Sequence, residues 1–174
     1  MTPDRAAVLF LSDSQLLAQC DVHTYRASGP GGQNRNKVES AVRLVHVPSG
    51  VTAVATESRS QLENRPLALR RLREALAIRL RSAVELDNFA PPAQWTAAAN
   101  AGRIRVNPRN PDYPILVATA LDVLEACAGR LGDATRLLGL STHHFVQFLA
   151  DHPHVWQEAN RIRAAHGARP LRGQ

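Results

Sequence analysis

The segment Ala27-Ser28-Gly29-Pro30-Gly31-Gly32-Gln33 constrains the fold more than any other part of the chain. Three glycines and a proline fill four consecutive positions, a density that neither a helix nor a sheet ladder accommodates. The segment reads as a loop with special backbone angles, so regular structure must end on either side of it. Upstream, Val22 to Arg26 reads as a short strand. Ahead of that, Ser12-Asp13-Ser14-Gln15 spells a capping box that opens a short helix. Downstream, Asn36 to Ala41 can form a short helix, and Val42 to Val47 alternates as a strand. Pro48-Ser49-Gly50 then makes a turn, with Val51 to Thr56 as the antiparallel partner.

A helical pattern follows from about Gln61 to Leu86. Leu62, Leu69, Leu72, Leu76, Ile78 and Leu80 fall mostly on one face, and Arg70, Arg71, Arg73 and Arg79 decorate the other. Pro66 fits only in a first turn, which moves the predicted start toward Asn64. Pro91, Pro92, Gly102, Pro108 and Pro111 then punctuate residues 88–113 as a linker. Helical spacing resumes near Ile115 and is interrupted at Gly129, Gly132, Gly139 and Pro153. The pattern predicts an α+β chain: a small domain over residues 1–87, a short antiparallel sheet packed with helices; a proline-rich linker over 88–113; and a small all-α domain over 114–174 with a helix-turn-helix character.

Charge divides unevenly along the chain. Residues 1–110 hold 15 Arg and Lys against 9 Asp and Glu, and residues 111–174 hold 6 against 6. A basic first part joined to a neutral second predicts that the first meets a polyanion and the second does not. No apolar run approaches the roughly 20 residues needed to span a bilayer, so no membrane is expected. The first twenty residues lack a small-residue cleavage site and read as neither secretory signal nor transit peptide. Cys20 and Cys127 stand far apart with no CxxC spacing, the usage of free thiols in a reducing cytoplasm.

Gly31-Gly32-Gln33 has a chemical use as well as a conformational one. Two successive glycines let a backbone enter a crowded site where any Cβ would clash, and they free the next amide to point at a ligand. Ester hydrolysis needs an attacking water and a donor for the charge that develops on oxygen. A preorganised backbone N–H aimed at that oxygen is worth about 3–4 kcal/mol. The Gln33 N–H suits that task, and its side-chain amide can place the water. An amide does not titrate usefully, so Gln33 is no general base and a partner must supply the rest of the site. In isolation the tripeptide serves more often as a turn or a phosphate cradle; its surroundings decide.

Those surroundings are distinctive. Arg26-Ala27-Ser28-Gly29-Pro30-Gly31-Gly32-Gln33-Asn34-Arg35-Asn36-Lys37-Val38-Glu39-Ser40-Ala41-Val42-Arg43 resembles the signature of bacterial class-I peptide chain release factors and their stand-alone ribosome-rescue relatives. The likeness continues through His46-Val47-Pro48-Ser49-Gly50-Val51, Arg59-Ser60-Gln61 and Asn64-Arg65 to Ala68 and Leu72, and covers roughly residues 12–82. The resemblance implies hydrolysis of the peptidyl-tRNA ester in the ribosomal peptidyl-transferase centre, in the cytoplasm and without a cofactor. By that implication Gly31 and Gly32 shape the loop. The Gln33 N–H stabilises the transition state or the leaving ribose oxygen, and its side chain positions water. Gln33 is also a candidate for side-chain N-methylation by a glutamine methyltransferase. Ser28, Arg35, Asn36 and Lys37 would anchor the loop on large-subunit RNA, as would Arg26. Arg59, Ser60 and Arg65 would share that role or fix the base of the loop. Arg59 fits equally well as a buried arginine paired with Glu39 or Glu57. Ser60 and Asn64 can be read as helix caps, and His46 as a structural histidine.

Little more than twenty residues precede the signature segment that begins at Arg26, and no PxT or SPF tripeptide occurs, so the expectation is codon-independent rescue of stalled ribosomes or split large subunits. Rescue factors of this kind carry a long basic tail, whereas Arg161 to Gln174 is only mildly basic. Two alternatives stay open: a non-catalytic ribosome- or RNA-binding module of the same fold, and a DNA-binding regulator. The second draws on Gly132 to Leu149, which resembles a helix-turn-helix with Ala134 in the first helix, Gly139 in the turn and Ser141 capping the second. That second helix holds no Arg or Lys, which disfavours DNA and favours a packing or docking role. His143, His144, His152 and His154 lack ligand spacing, and no metal is expected. Trp95 and Trp156 read as core or docking anchors.

Overall fold

In the computed structural model, which describes residues 5–26 and 39–172, the chain divides into two compact units, Met1–Arg79 and Leu80–Gln174. The first is α+β. Helix α1 spans Arg5–Leu9 and α2 spans Asp13–Ala18. The capping box is present at α2: Ser12 Oγ accepts from Gln15 N, and Gln15 Oε1 accepts from Ser12 N. Strands β1 (Cys20–Tyr25), β2 (Ala41–His46) and β3 (Thr52–Ala55) form an antiparallel sheet in that order. Tyr25 pairs with Ala41, Cys20 with His46 and Val45 with Thr52. Gly50, at φ 68°, closes the turn between β2 and β3, where its N–H donates to His46 O at 2.8 Å. That backbone angle is one that glycine adopts without strain. Part of the helix expected over 36–41 lies outside the described residues, and Ala41 already belongs to β2.

Helix α3 (Gln61–Arg79) packs on β2 and β3. Its buried positions are Asn64, Ala68, Leu69, Leu72, Leu76 and Ala77, the i, i+4, i+8, i+12 stripe of a helix lying on a sheet. The apolar spacing assigns Leu62 to that stripe, yet it is 84% exposed. At 3.6 residues per turn it lies about 200° around the helix from Asn64, which takes the inward place. The helix begins before Pro66 by a full turn and more, and it ends at Arg79 rather than near residue 86. The missing proline N–H would have bonded the Leu62 carbonyl, which on an exposed turn can bond water instead. The arginine face is not simply solvated. Arg73 donates to Leu9 O at 3.2 Å, to Leu11 O at 2.7 Å and to Asp13 at 2.9 Å, holding α1 and α2 to the helix. Arg71 reaches Val54 O at 2.7 Å.

The second unit contains more than the expected linker and helices. A short 3-10 turn at Leu86–Asn88 leads to α4 (Ala93–Ala98), then to a two-stranded hairpin of β4 (Ala99–Asn100) and β5 (Arg103–Ile104). Ala101 and Gly102, at φ 47° and 75°, make the two-residue hairpin turn, which requires left-handed angles at both positions. The prolines that suggest a linker sit between these short elements. What makes the segment part of the unit is Trp95, 1% exposed, whose indole N–H donates to Leu138 O at 2.9 Å. Helices α5 (Tyr113–Ala126), α6 (Leu131–Leu138), α7 (Thr142–Ala150) and α8 (Pro153–Ala165) follow. Helix α5 is buried at Tyr113, Pro114 and throughout Leu116–Leu124, and α4, α6 and α8 pack around it. Phe148 meets Trp95 and Tyr113 edge-on, each at 6.0 Å between ring centroids, a favoured aromatic geometry.

Candidate functional site

Gly31, Gly32 and Gln33 lie outside the described residues, as do Ser28, Arg35, Asn36 and Lys37. What the structure describes is the frame that holds both ends of that segment. The chain leaves β1 at Tyr25 and re-enters β2 at Ala41, and those two residues are paired across the sheet. The Arg43 guanidinium sits over the Tyr25 ring, 5.7 Å from its centroid, a cation–π contact at the strand end. Arg26, the first residue past β1, is exposed.

The returning end is held by a residue that the sequence alone presents as a helix cap. Asn64 has no exposure to solvent. Its Nδ2 donates to Ser40 O at 2.7 Å and to Ser58 O at 2.8 Å, while its Oδ1 accepts from Ser58 N at 2.9 Å. One side chain thereby joins the residue just ahead of β2 to the bend after β3 and to α3. Other polar groups of that bend are bonded too. Ser58 Oγ accepts from Ser60 N at 3.0 Å and donates to Glu63 at 2.5 Å, and Asn64 N donates to Ser60 O at 3.1 Å. A buried amide serving two carbonyls and one N–H is costly to replace, since each orphaned partner carries its own desolvation penalty. A signal for this role exists in the sequence: a lone polar residue on the i, i+4, i+8 apolar stripe of an amphipathic helix.

Arg59 and Arg65 are exposed and Ser60 half-buried, all on or next to this bend. Arg59 is therefore not a buried structural arginine, and Glu57 is not its partner. Glu57 pairs with Arg71, whose hydrogen bond holds the carboxyl below its ordinary pKa. The bend presents Arg59 and the start of α3 presents Arg65 to solvent, while Asn64 fixes the bend's backbone to the loop's return point.

At the opposite end of the sheet, His46 is fully buried. Its Nδ1 lies 2.6 Å from Ser49 Oγ and its Nε2 lies 3.1 Å from Gln19 Oε1. The neutral ring satisfies both: Nε2–H donates to the amide oxygen and Nδ1 accepts from the hydroxyl. Burial pushes its pKa down. It faces partners that hold the turn and the α2–β1 junction, a structural arrangement. Among the described residues no group of three or more His, Cys, Asp or Glu could hold a metal, and no helix is long and apolar enough to cross a membrane.

Comparison with known proteins places this frame. Residues 17–110 match the model of the RF-1 domain, more than half of the chain. The chain belongs to the RF-1 domain family. The match encloses Gly31-Gly32-Gln33, the whole sheet and α3, and runs on to the β4–β5 hairpin. Among curated relatives, peptide chain release factor 1 of Chloroherpeton thalassium is 58% identical over 53 residues, which are 30% of this chain and 15% of that protein. Peptide chain release factor 2 of Acidithiobacillus ferrooxidans is 52% identical over 59 residues, 34% and 16% of the two chains. The chloroplastic peptide chain release factor PrfB1 of Arabidopsis thaliana is 39% identical over 100 residues, 55% of this chain and 21% of that one. The RF-1 domain chain thus spans about a fifth or less of the length of these relatives.

Proposed function

We infer that this RF-1 domain protein hydrolyses the ester of peptidyl-tRNA on the ribosome, with residues 1–87 as the catalytic part and Gly31-Gly32-Gln33 as the reacting loop. The observation that carries the reading is the family match enclosing that tripeptide. It is supported by the loop's ends, paired at Tyr25 and Ala41 and tied at Ser40 by Asn64. Water attacks the ester carbonyl carbon, the carbon–oxygen bond to the ribose breaks, and the ribose oxygen takes a proton. The Gln33 N–H donates to the oxygen that gains charge, and its side-chain amide holds the water. Arg26, Ser28, Arg35, Asn36, Lys37, Arg59, Ser60 and Arg65 contact large-subunit RNA, where phosphate contacts set orientation. Gln33 is the position a glutamine methyltransferase would modify.

The reaction proposed is codon-independent release from stalled ribosomes or split large subunits in the cytoplasm, the ester lying at the peptidyl end of tRNA and away from the codon. The test is release of labelled peptide from ribosomes stalled on a message without a stop codon, with isolated large subunits and stop-codon complexes in parallel. Wild type is expected to release on all three substrates. Gly32→Ala, whose Cβ displaces the Gln33 N–H, should lose about 100-fold or more of the rate. Gln33→Ala, which keeps that N–H and loses the amide that holds the water, should release more slowly than wild type. Release only at stop codons would remove the rescue reading. Ribosome binding without any release would leave a non-catalytic module.

A further inference from the structure

Helix α7 contains no Arg or Lys, and as a sequence it offers a phosphate nothing. Packing changes its surroundings. The β4–β5 hairpin lies against α7, and Ser141, its N-cap, donates its backbone N–H to Gly102 O at 2.9 Å. Arg103 and Arg105, some forty residues upstream, thereby stand beside the helix. A groove of about 560 Å3 runs along this face, lined by Arg105, Thr142, His143, Gln147 and Arg172 among others. Asp151 is the only acidic side chain among its lining residues. The positive field reaches His144, whose pKa is lowered by burial first and then by the charges of Arg103, His143 and Arg105.

The arginines of this unit fall into two sets. Arg81 pairs with Glu158 at 2.5 Å, Arg130 and Arg136 with Asp133 at 2.6 and 3.4 Å, and Arg161 with Glu158 at 2.8 Å. Arg163 is spent on the carbonyls of Gly129 and Arg169. Among the described residues, Arg103, Arg105, Arg109, Arg169 and Arg172 form no ion pair, and all five are exposed. Of these, Arg105 and Arg172 line the groove, and Arg103 stands next to it, close enough to act on His144. Unneutralised guanidinium groups so placed are suited to a polyanion, because each releases a condensed counterion on meeting a phosphate.

We propose that the groove between the β4–β5 hairpin and α7 is an RNA-helix binding site, in which Arg103, Arg105 and Arg172 contact phosphates and Thr142, His143 and Gln147 face the shallow groove. Uncharged donors and acceptors on the helix suit the 2′-hydroxyls of A-form RNA, while the flanking arginines take the backbone on either side. The choice of RNA over DNA rests on the release reading above; the phosphate contacts do not.

The test uses the full chain. Fluorescence anisotropy would follow binding of a labelled RNA duplex, and of the same sequence as DNA, across a salt series. Arg103→Ala/Arg105→Ala and Arg172→Ala are compared with Arg136→Ala, which removes an exposed charge already paired with Asp133. The double variant is expected to bind RNA at least ~10-fold more weakly, with a salt slope lower by about two, roughly 0.9 for each phosphate no longer neutralised. Arg136→Ala should match wild type. An unchanged affinity and slope in the double variant would overturn the site, and tighter binding of DNA than of RNA would overturn the assignment to RNA. Gly32→Ala should lose release and keep this binding, which separates failure of the loop from failure of the groove. On ribosomes, Gln147→p-benzoylphenylalanine should crosslink to RNA; adducts to protein alone would also overturn the proposal.

Discussion

Met1–Arg79 fully buries two hydrogen-bonded polar side chains, His46 and Asn64, at opposite ends of its sheet and beside apolar residues such as Leu16, Leu44, Leu72 and Leu76, whereas the largest fully buried side chains of Leu80–Gln174 are Trp95, Tyr113, Phe145 and Phe148. The first unit is a small sheet with one long helix across β2 and β3, and β1 keeps most of its residues exposed. Its apolar burial is modest, and directed polar bonds fix where the chain enters and leaves the loop segment. The second unit wraps α5 almost completely and relies on non-directional packing. Polar staples set a position to within a hydrogen bond's tolerance, while apolar packing sets stability without specifying one partner. The proposed reacting loop is held by the first device, and the proposed groove along α7 is presented by the second.

The contrast is broken most severely through Trp95. Trp95→Ala removes an edge-on partner of Phe148 and the bond to Leu138 O, and should destabilise the second unit by about 3–5 kcal/mol. Hydrogen exchange in peptides covering α4 to α7 is the measurement, with early loss of protection expected there. Asn64→Ala should cost roughly 2–3 kcal/mol in the first unit, because Ser58 N–H and the Ser40 carbonyl lose their partner. Asn64→Asp separates shape from bonding: it keeps an acceptor, loses both donations, and should be no more stable than the alanine variant in denaturant titration.

The smallest effect is expected at His46. Its pKa is depressed in the folded chain, so the unfolded state binds the proton first as pH falls below the ordinary value near 6.5. Stability from this residue is therefore complete above that pH. It declines at up to about 1.4 kcal/mol per pH unit until the folded pKa is reached. His46→Gln should flatten stability against pH below 6.5 relative to wild type, as followed by urea melts of the full chain. An identical slope in the two proteins would mean that His46 does not titrate on unfolding.

The charge comparison changes once the units are known. Met1–Arg79 holds 11 Arg and Lys against 7 acidic residues, and Leu80–Gln174 holds 10 against 8. The second unit is basic too. Arg103, Arg105 and Arg109 fall with the first part only while the proline-punctuated stretch before them reads as a linker. Trp95 reads as a core or docking anchor from its bulk alone, but nothing local marks Ile104 as core, since α4 and the hairpin are too short to show a period.

What the sequence determined by itself was whatever depends on neighbouring residues. The capping box at Ser12, the alternation of Val42 to Val47, the turn at Gly50, the αL residue Gly139 and the Ser141 cap all follow from local geometry. The loop tripeptide and its flanks pointed to the RF-1 domain family for the same reason: a run of special residues is legible without a fold. Tertiary structure alone decided which polar side chains face inward and which arginines stay unpaired. Asn64 became a staple because α3 lies over Ser40 and Ser58, and Arg73 became a clamp because α1 and α2 pass beside it. Arg105 and Arg172 came to line one groove because chain segments far apart in sequence pack against α7. Burial and charge pairing are properties of distance in space, which residue order does not carry.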